Sequence, residues 1–168
     1  SIIIINLLYF FVKYIEGKQF EYPIYFDVEE QRTLKLGVDK VSAIINAFLR
    51  ELENAGYFAG LYMSAYPLKN YVNDTTRRRY AVWVAHYGVS KPDYNGQYGM
   101  WQKSSSGRVE GINGNVDLDE CYVDYPAIIK NKGDNGYPKP EPPKPQKAKI
   151  KATIEIDEHI YSGLLEEQ

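Results

Sequence analysis

The sequence predicts an α/β protein: a parallel sheet that finishes in antiparallel or irregular strands, followed by a C-terminal β-hairpin. Three observations carry this prediction. Segments of strand character alternate with segments of helical period through the middle of the chain, the pattern of parallel sheets. Apolar residues between Val41 and Leu52 recur along one helical stripe. The chain has only 168 residues, whereas a complete (β/α)8 barrel takes about 250 and rarely fewer than ~200.

The elements follow in order. The chain starts with Ser1, as a processed product or a fragment does. Ile2 to Val12 is apolar except for Asn6. A membrane-spanning helix needs about 20 such residues, and a signal peptide needs a preceding basic region. The run therefore reads as a buried strand or helix. Phe10, Tyr14 and Ile15 keep helical spacing, and Gly17 reads as a stop. Tyr22 to Glu29 (YPIYFDVE) reads as a buried strand. Val38 to Asn54 is the clearest helix, with Val41, Ile44, Ile45, Phe48, Leu49 and Leu52 on one stripe. Asp39 suits its N-cap and Gly56 its C-terminal stop. Gly60–Ser64 is a short strand, Pro67–Val72 a second helix, and Ala81–Tyr87 a third strand. Tyr98–Ser104 and Val116–Cys121 complete the sheet without intervening helices.

Three segments result: a main body over 1–136, a proline-rich linker over 137–147, and a hairpin over 148–168 that would begin a further module. The linker's YPKPEPPKP is extended and semi-rigid. In the hairpin, Ile150, Ala152, Ile154 and Ile156 alternate with polar residues. Asp157-Glu158-His159 can turn, and Ile160–Leu165 can return.

Composition excludes several classes. A net charge of −2 removes the usual electrostatic basis for nucleic-acid binding. A single cysteine, Cys121, excludes an internal disulfide framework and a cysteine-rich zinc site. The two histidines, His86 and His159, lie in different segments without metal-ligand spacing, so no metal site is expected. Ser104 to Ser106 lack the context of a nucleophile elbow. Arg77 to Arg79 read as a solvated helix exit. Sixteen tyrosines offer flat apolar faces with hydroxyl tips, which suits sugar rings and equally suits half-buried β structure.

Asp27 and Glu29 are the first chemical candidates. Residues two apart on a strand share a face, with Cα atoms about 6.5 Å apart, here at the carboxyl end where α/β folds place their sites. Close carboxylates cannot both ionise freely, so one should hold its proton more tightly. Such an acid can protonate a glycosidic oxygen. The same residues also fit an inert, solvated strand exit. Asp117 is a third acid on a strand, although Asp119 and Glu120 beside it fit a solvated acidic loop or a weak cation site. Tyr62 and Ser64 share a face ending at a strand tip. Trp83, Ala85 and Tyr87 share another, where Trp83 reads as core and Tyr87 as a ligand contact. Trp101 and Gln102 pair an aromatic platform with an amide, useful for a sugar and equally common in cores.

Taken together, five stretches form an ordered set: YPIYFDVE, the helix exit NAGYFAGLYMS, AVWVAHY, YGMWQKSSSG and GINGNVDLDECY. With them, residues from about Phe11 to Pro126 resemble the C-terminal part of glycoside hydrolase family 25 lysozymes. The resemblance implies an incomplete TIM-like (β/α)5(β)3 barrel lacking its first strands. It implies cleavage of the β-1,4 bond between N-acetylmuramic acid and N-acetylglucosamine in peptidoglycan, without metal or organic cofactor. The family's Asp-x-Glu motif falls on Asp27 and Glu29. That makes Glu29 the general acid, with Asp27 orienting the substrate acetamido group or stabilising the charged intermediate. The family's late aspartate falls on Asp117, and Tyr62, Tyr87 and Trp101 fall where the groove is lined. The expected partner is the peptidoglycan glycan strand, with no nucleic acid and no membrane span. The expected location is extracellular or in the cell wall, or in a phage lysin released from the host cytoplasm. Two other readings stand beside hydrolysis. One is a non-catalytic wall-binding remnant. The other is a truncated product that self-associates through exposed barrel edges.

Overall fold

The structure, a computed structural model, describes residues 2–142 and 150–165. Its elements are α1 (Ile2–Ile15), β1 (Ile24–Asp27), α2 (Gln31–Leu34), α3 (Val38–Asn54), β2 (Ala59–Ser64), α4 (Ala65–Tyr71), α5 (Asp74–Arg79), β3 (Ala81–Ala85), β4 (Met100–Gly107), β5 (Val116–Cys121), α6 (Tyr125–Lys132), β6 (Ile150–Ile156) and β7 (His159–Leu165). Strands β1 to β5 form one sheet in chain order. The first three pairings are parallel and β4–β5 is antiparallel, as the sequence predicts. Among the described residues, β1 has no neighbour on its other side. The β6–β7 pair is a separate antiparallel sheet closed by Asp157 and Glu158, both at positive φ, the geometry of a two-residue hairpin turn. The linker expected over 137–147 lies partly outside the described residues, as does the start of the hairpin segment at 148–149.

Helix α3 explains how the sheet is held. Val41, Ile45, Phe48, Leu49 and Leu52 are buried on one stripe, while Ile44 is only half-buried and Ser42 takes a central place in the packed face. The stripe packs across β1 and β2, with the Phe48 ring stacked on Phe26 at 4.0 Å. Leu61, Met63, Val82 and Val84 complete this side of the sheet. Ser42 is tolerated there because its hydroxyl accepts from the Asn73 backbone N–H, and Asn46 bridges from the Ser42 carbonyl to Thr76. The helix starts at Gly37 (φ 87°), not at an Asp39 cap; Asp39 sits in the first turn, where its charge meets the helix dipole. The N-terminal run is helical: α1 buries Ile15 and packs Phe11 and Val12 on the core, leaving Phe10 and Tyr14 exposed. No helix among the described residues is long and apolar enough to cross a membrane.

The other side of the sheet is concave and aromatic. Alternation along the strands gives it Tyr25, Tyr62, Trp83 and Gln102. Trp83 meets Tyr25 at 5.2 Å and Tyr62 at 4.7 Å, both edge-on. Gly60 pairs with Tyr25, and a Cβ there would lie 2.5 Å from the Tyr25 ring. The absent side chain on β2 is what lets that ring lie over the sheet.

Where the amino ends of β1 and β2 meet, one residue closes the structure. Helix α6, which the sequence reading did not anticipate, is capped by the Asp124 carboxylate and ends at Gly133 in the left-handed region. That ending delivers Asn135, also left-handed at φ 54° and fully buried, a conformation asparagine tolerates. Its side-chain oxygen accepts from Phe58 N–H at 2.7 Å. Its amide nitrogen donates to the Phe20 and Tyr22 carbonyls at 3.1 and 2.8 Å. Its backbone pairs with Gly56 and Phe20.

Asn135→Ala leaves one buried N–H and two carbonyls without partners and strains a left-handed position. It is expected to lower unfolding free energy by about 3–5 kcal/mol, read from urea melts of parent and variant. Asn135→Asp keeps the acceptor but sets a carboxylate against two carbonyl oxygens, so its deficit should shrink as the pH is lowered.

Candidate active site

The carboxyl ends of the parallel strands gather the polar side chains that the hydrophobic core excludes. Strand β1 is shorter than the sequence suggests and stops at Asp27. Val28 turns into the core, and its N–H reaches the Tyr62 carbonyl at 3.4 Å. Glu29 therefore leaves the sheet in an extended segment just before α2, and it is exposed together with Asp27. The Ser64 hydroxyl donates to Glu29 Oε1 at 3.0 Å. Ser64 occupies the N-cap position of α4, yet makes no cap hydrogen bond because its hydroxyl is turned to Glu29 instead. The structure brings Glu29 and Ser64 together because β1 and β2 are neighbours in the sheet.

Partial burial, and then the neighbouring Glu29 charge, push the Asp27 carboxyl above its ordinary value. Asp119 on β5 is also raised, first by burial and further by Asp117, although the hydrogen bond from the Trp83 indole opposes this. That bond, Trp83 Nε1 to Asp119 Oδ1 at 2.8 Å, holds the indole on the concave face. Trp83 is thus half-buried beside the acids and not a core residue as expected.

Gln102 organises the middle of the site. It is buried to 4% exposure, level with Ala85 on β3. Its amide oxygen accepts from Tyr62 at 2.8 Å and also from the Tyr87 hydroxyl. Its amide nitrogen donates to Asp117 Oδ2 at 3.3 Å. A register irregularity follows immediately in β4, between Gln102 and Ser104. Bulges of this kind bend a strand and re-aim side chains near sites. Burial raises the Tyr62 phenol well above its ordinary value, with the adjacent Tyr87 hydroxyl adding to this. Tyr62 therefore stays a neutral hydroxyl through the physiological range.

Trp101 corrects the sequence reading. It is 6% exposed and belongs to the hydrophobic core, on the face of β4 opposite Gln102, so it does not line the groove. Its indole instead donates to the His86 carbonyl at 2.9 Å. His86 Nδ1 accepts from the Asp93 N–H, and Lys69 pairs with Asp93 at 2.6 Å. These contacts fasten the helix-free connection from β3 to β4, which carries Tyr87. Tyr87 itself is 46% exposed. Of the seven residues predicted for the site, Asp27, Glu29, Asp117, Tyr62, Ser64 and Tyr87 lie at this end of the sheet outside the core, and Trp101 lies on the core face. Gln102, Trp83 and Asp119 are the additions. The sequence pairs Gln102 with Trp101, and the structure parts them, because a strand that buries Trp101 on one face must aim the next residue at the other.

Residues 6–112 match the family described as Glycosyl hydrolases family 25. The Autolytic lysozyme of Clostridium acetobutylicum is 36% identical over 110 residues, 66% of this chain and 33% of the relative. The uncharacterized protein YegX of Escherichia coli K12 is 31% identical over 114 residues, 64% of this chain and 39% of the relative. The crystal structure of the CTP1L endolysin superposes with a TM-score of 0.63 at 27% identity, covering 74% of this chain and 44% of that one. The chain thus spans between a third and a half of the length of these relatives.

The raised Asp27 has a consequence for stability. A carboxyl that binds its proton more tightly when folded contributes stability below its unfolded value of 3.8, and this is lost as the pH rises through the folded value. Asp27→Asn is expected to melt at a higher temperature than the parent at about pH 7, with the gain disappearing near pH 3. Thermal melts across that interval check the sign.

Proposed function

Because the chain belongs to glycosyl hydrolases family 25, we propose that it carries part of a muramidase groove and acts on the glycan strands of peptidoglycan at the cell wall. The scissile bond in this reading is the β-1,4 linkage between N-acetylmuramic acid and N-acetylglucosamine. The observation that carries the reading is the grouping of Asp27, Glu29, Asp117 and Asp119 around Tyr62, Tyr87 and Gln102 at one end of the sheet.

Glu29 is the general acid of this proposal. Its proton passes to the glycosidic oxygen as the bond from the anomeric carbon to that oxygen breaks, and water supplies the hydroxyl that ends on the sugar. The Ser64 hydroxyl fixes the orientation of the Glu29 carboxyl. Asp27 and Asp117 supply negative charge for the cationic character that develops on the ring. Trp83, edge-on to Tyr62 and held by Asp119, offers a fixed aromatic surface to a pyranose.

A second reading has its own observation. Among the described residues β1 is an open edge, so the acids line one side of a groove. A one-sided groove can hold a glycan without cleaving it.

Incubating the chain with purified cell walls and assaying new reducing ends tests hydrolysis. Glu29→Gln is expected to lower any release by about 10²–10⁴-fold, the usual contribution of a general acid. Release by the parent no greater than by Glu29→Gln sinks the hydrolytic reading, and retention of both proteins on cell walls would then favour binding alone.

A further inference from the structure

We propose that Gln102 is a positioning residue that sets the hydrogen-bonding polarity of the groove, so that Tyr62 and Tyr87 act as acceptors for the N–H of an N-acylated amino sugar. The inference deepens the glycan reading and rests on it. A phenol has one proton and a lone-pair side. Tyr62 on β2 and Tyr87 on the connection from β3 to β4 both spend their proton on the same atom, Gln102 Oε1. An amide oxygen has two lone pairs, and these two bonds use both.

The amide cannot reverse without loss. Turned over, it would present N–H groups to the two tyrosines and its oxygen to the Asp117 carboxylate, in place of the N–H that now donates to Asp117 Oδ2. An acceptor on the buried Gln102 set against a carboxylate is unfavourable. Asp117 therefore sets the amide, the amide sets both phenol protons, and each phenol oxygen is left with acceptor capacity alone. A ligand hydroxyl can meet such a wall either as donor or as acceptor, but only its donor mode fits. An acetamido N–H is a donor in every orientation. The acids Asp27, Glu29 and Asp117 around the tyrosines are acceptors as well when ionised, so the wall discriminates by donors on the ligand.

The test compares two tetrasaccharides of the same β-1,4 linkage by calorimetric titration of the full chain: an N-acetylglucosamine tetramer, and a glucose tetramer that lacks the N–H. The parent is expected to favour the N-acetylated ligand by about tenfold or more, a difference one to two directed hydrogen bonds supply. Gln102→Leu releases both phenol protons and should bring the two affinities within about threefold. The exchange Gln102→Glu with Asp117→Asn keeps an acceptor for both tyrosines and an N–H between the two positions, and should retain most of the preference, a rescue that a space-filling role would not produce. Should the leucine variant fail to fold, Tyr87→Phe serves, since it removes one acceptor at a half-exposed position and should cut the preference several-fold. A folded Gln102→Leu, or Tyr87→Phe, with the parent's preference overturns the assignment to Gln102 and leaves the glycan reading intact. A parent that binds neither tetrasaccharide overturns both.

Discussion

Asn135 is the constraint on which the arrangement depends. A parallel pair such as β1–β2 cannot be closed by a tight turn, so its register must be fixed from outside the strands. Asn135 does this with one fully buried side chain that bonds the segment entering β1 and the segment entering β2 together. A slip of one residue would break these bonds and would also move Tyr25 off Gly60, the position that admits its ring. The same register sets Asp27 beside Tyr62, at the far ends of the two strands. Contacts at one end of the sheet thus determine which side chains meet at the other.

The sheet's two faces divide the remaining work. The convex face is close-packed and apolar, and apolar substitutions that conserve volume are the ones such a face tolerates best. The concave face is different, because its aromatic rings touch one another edge-on and their polar ends are each taken by a named partner. Tyr25 reaches Met100 Sδ at 3.5 Å, Trp83 reaches Asp119, and Tyr62 and Tyr87 reach Gln102. Each ring is held by area and by one directed bond, which fixes rotation as well as position. Trp101 shows the complementary use of the same residue type. Buried in the core, it spends its indole N–H on the His86 carbonyl and so holds the connection that presents Tyr87.

Much of this was legible in the sequence, and the limits have physical causes. The α3 stripe and the bounds Val116–Cys121 could be read because one side of each element is polar and the period is therefore visible. In AVWVA and MWQKS the strand is buried on both sides, and alternation alone does not say which face meets the helices. That is why Trp83 and Trp101 exchange roles between expectation and structure. Asp27 was legible as an acid at a strand end, whereas Glu29 lies beyond the end of β1, so the shared strand face expected from their spacing does not apply, and the contact of Ser64 with Glu29 depends on strand order. Asn135 was illegible for another reason. Its partners lie 77 to 115 residues away, and Gly-Asp-Asn-Gly on its own spells only a turn.

The distribution of local cost along the strands supports the assignment of the site to their carboxyl ends. At the amino ends, Asn135 has every polar group bonded and α6 is capped at both termini. At the carboxyl ends, local rules are broken repeatedly. Ser64 leaves α4 without a cap bond and turns to Glu29. Partial burial, with a second carboxylate adding to it, raises Asp27 and Asp119. Two phenols converge on one amide oxygen. The missing cap and the raised carboxyls are unfavourable for folding when taken alone, and each of these features orients or tunes a group that can meet a ligand. Sequences are locally consistent where only stability is at stake and depart from consistency where a site must be held. By that criterion the departures mark the Asp27–Ser64–Gln102–Asp119 end of the sheet independently of any family comparison, and they do so with residues, Gln102 above all, that the motif alone does not single out.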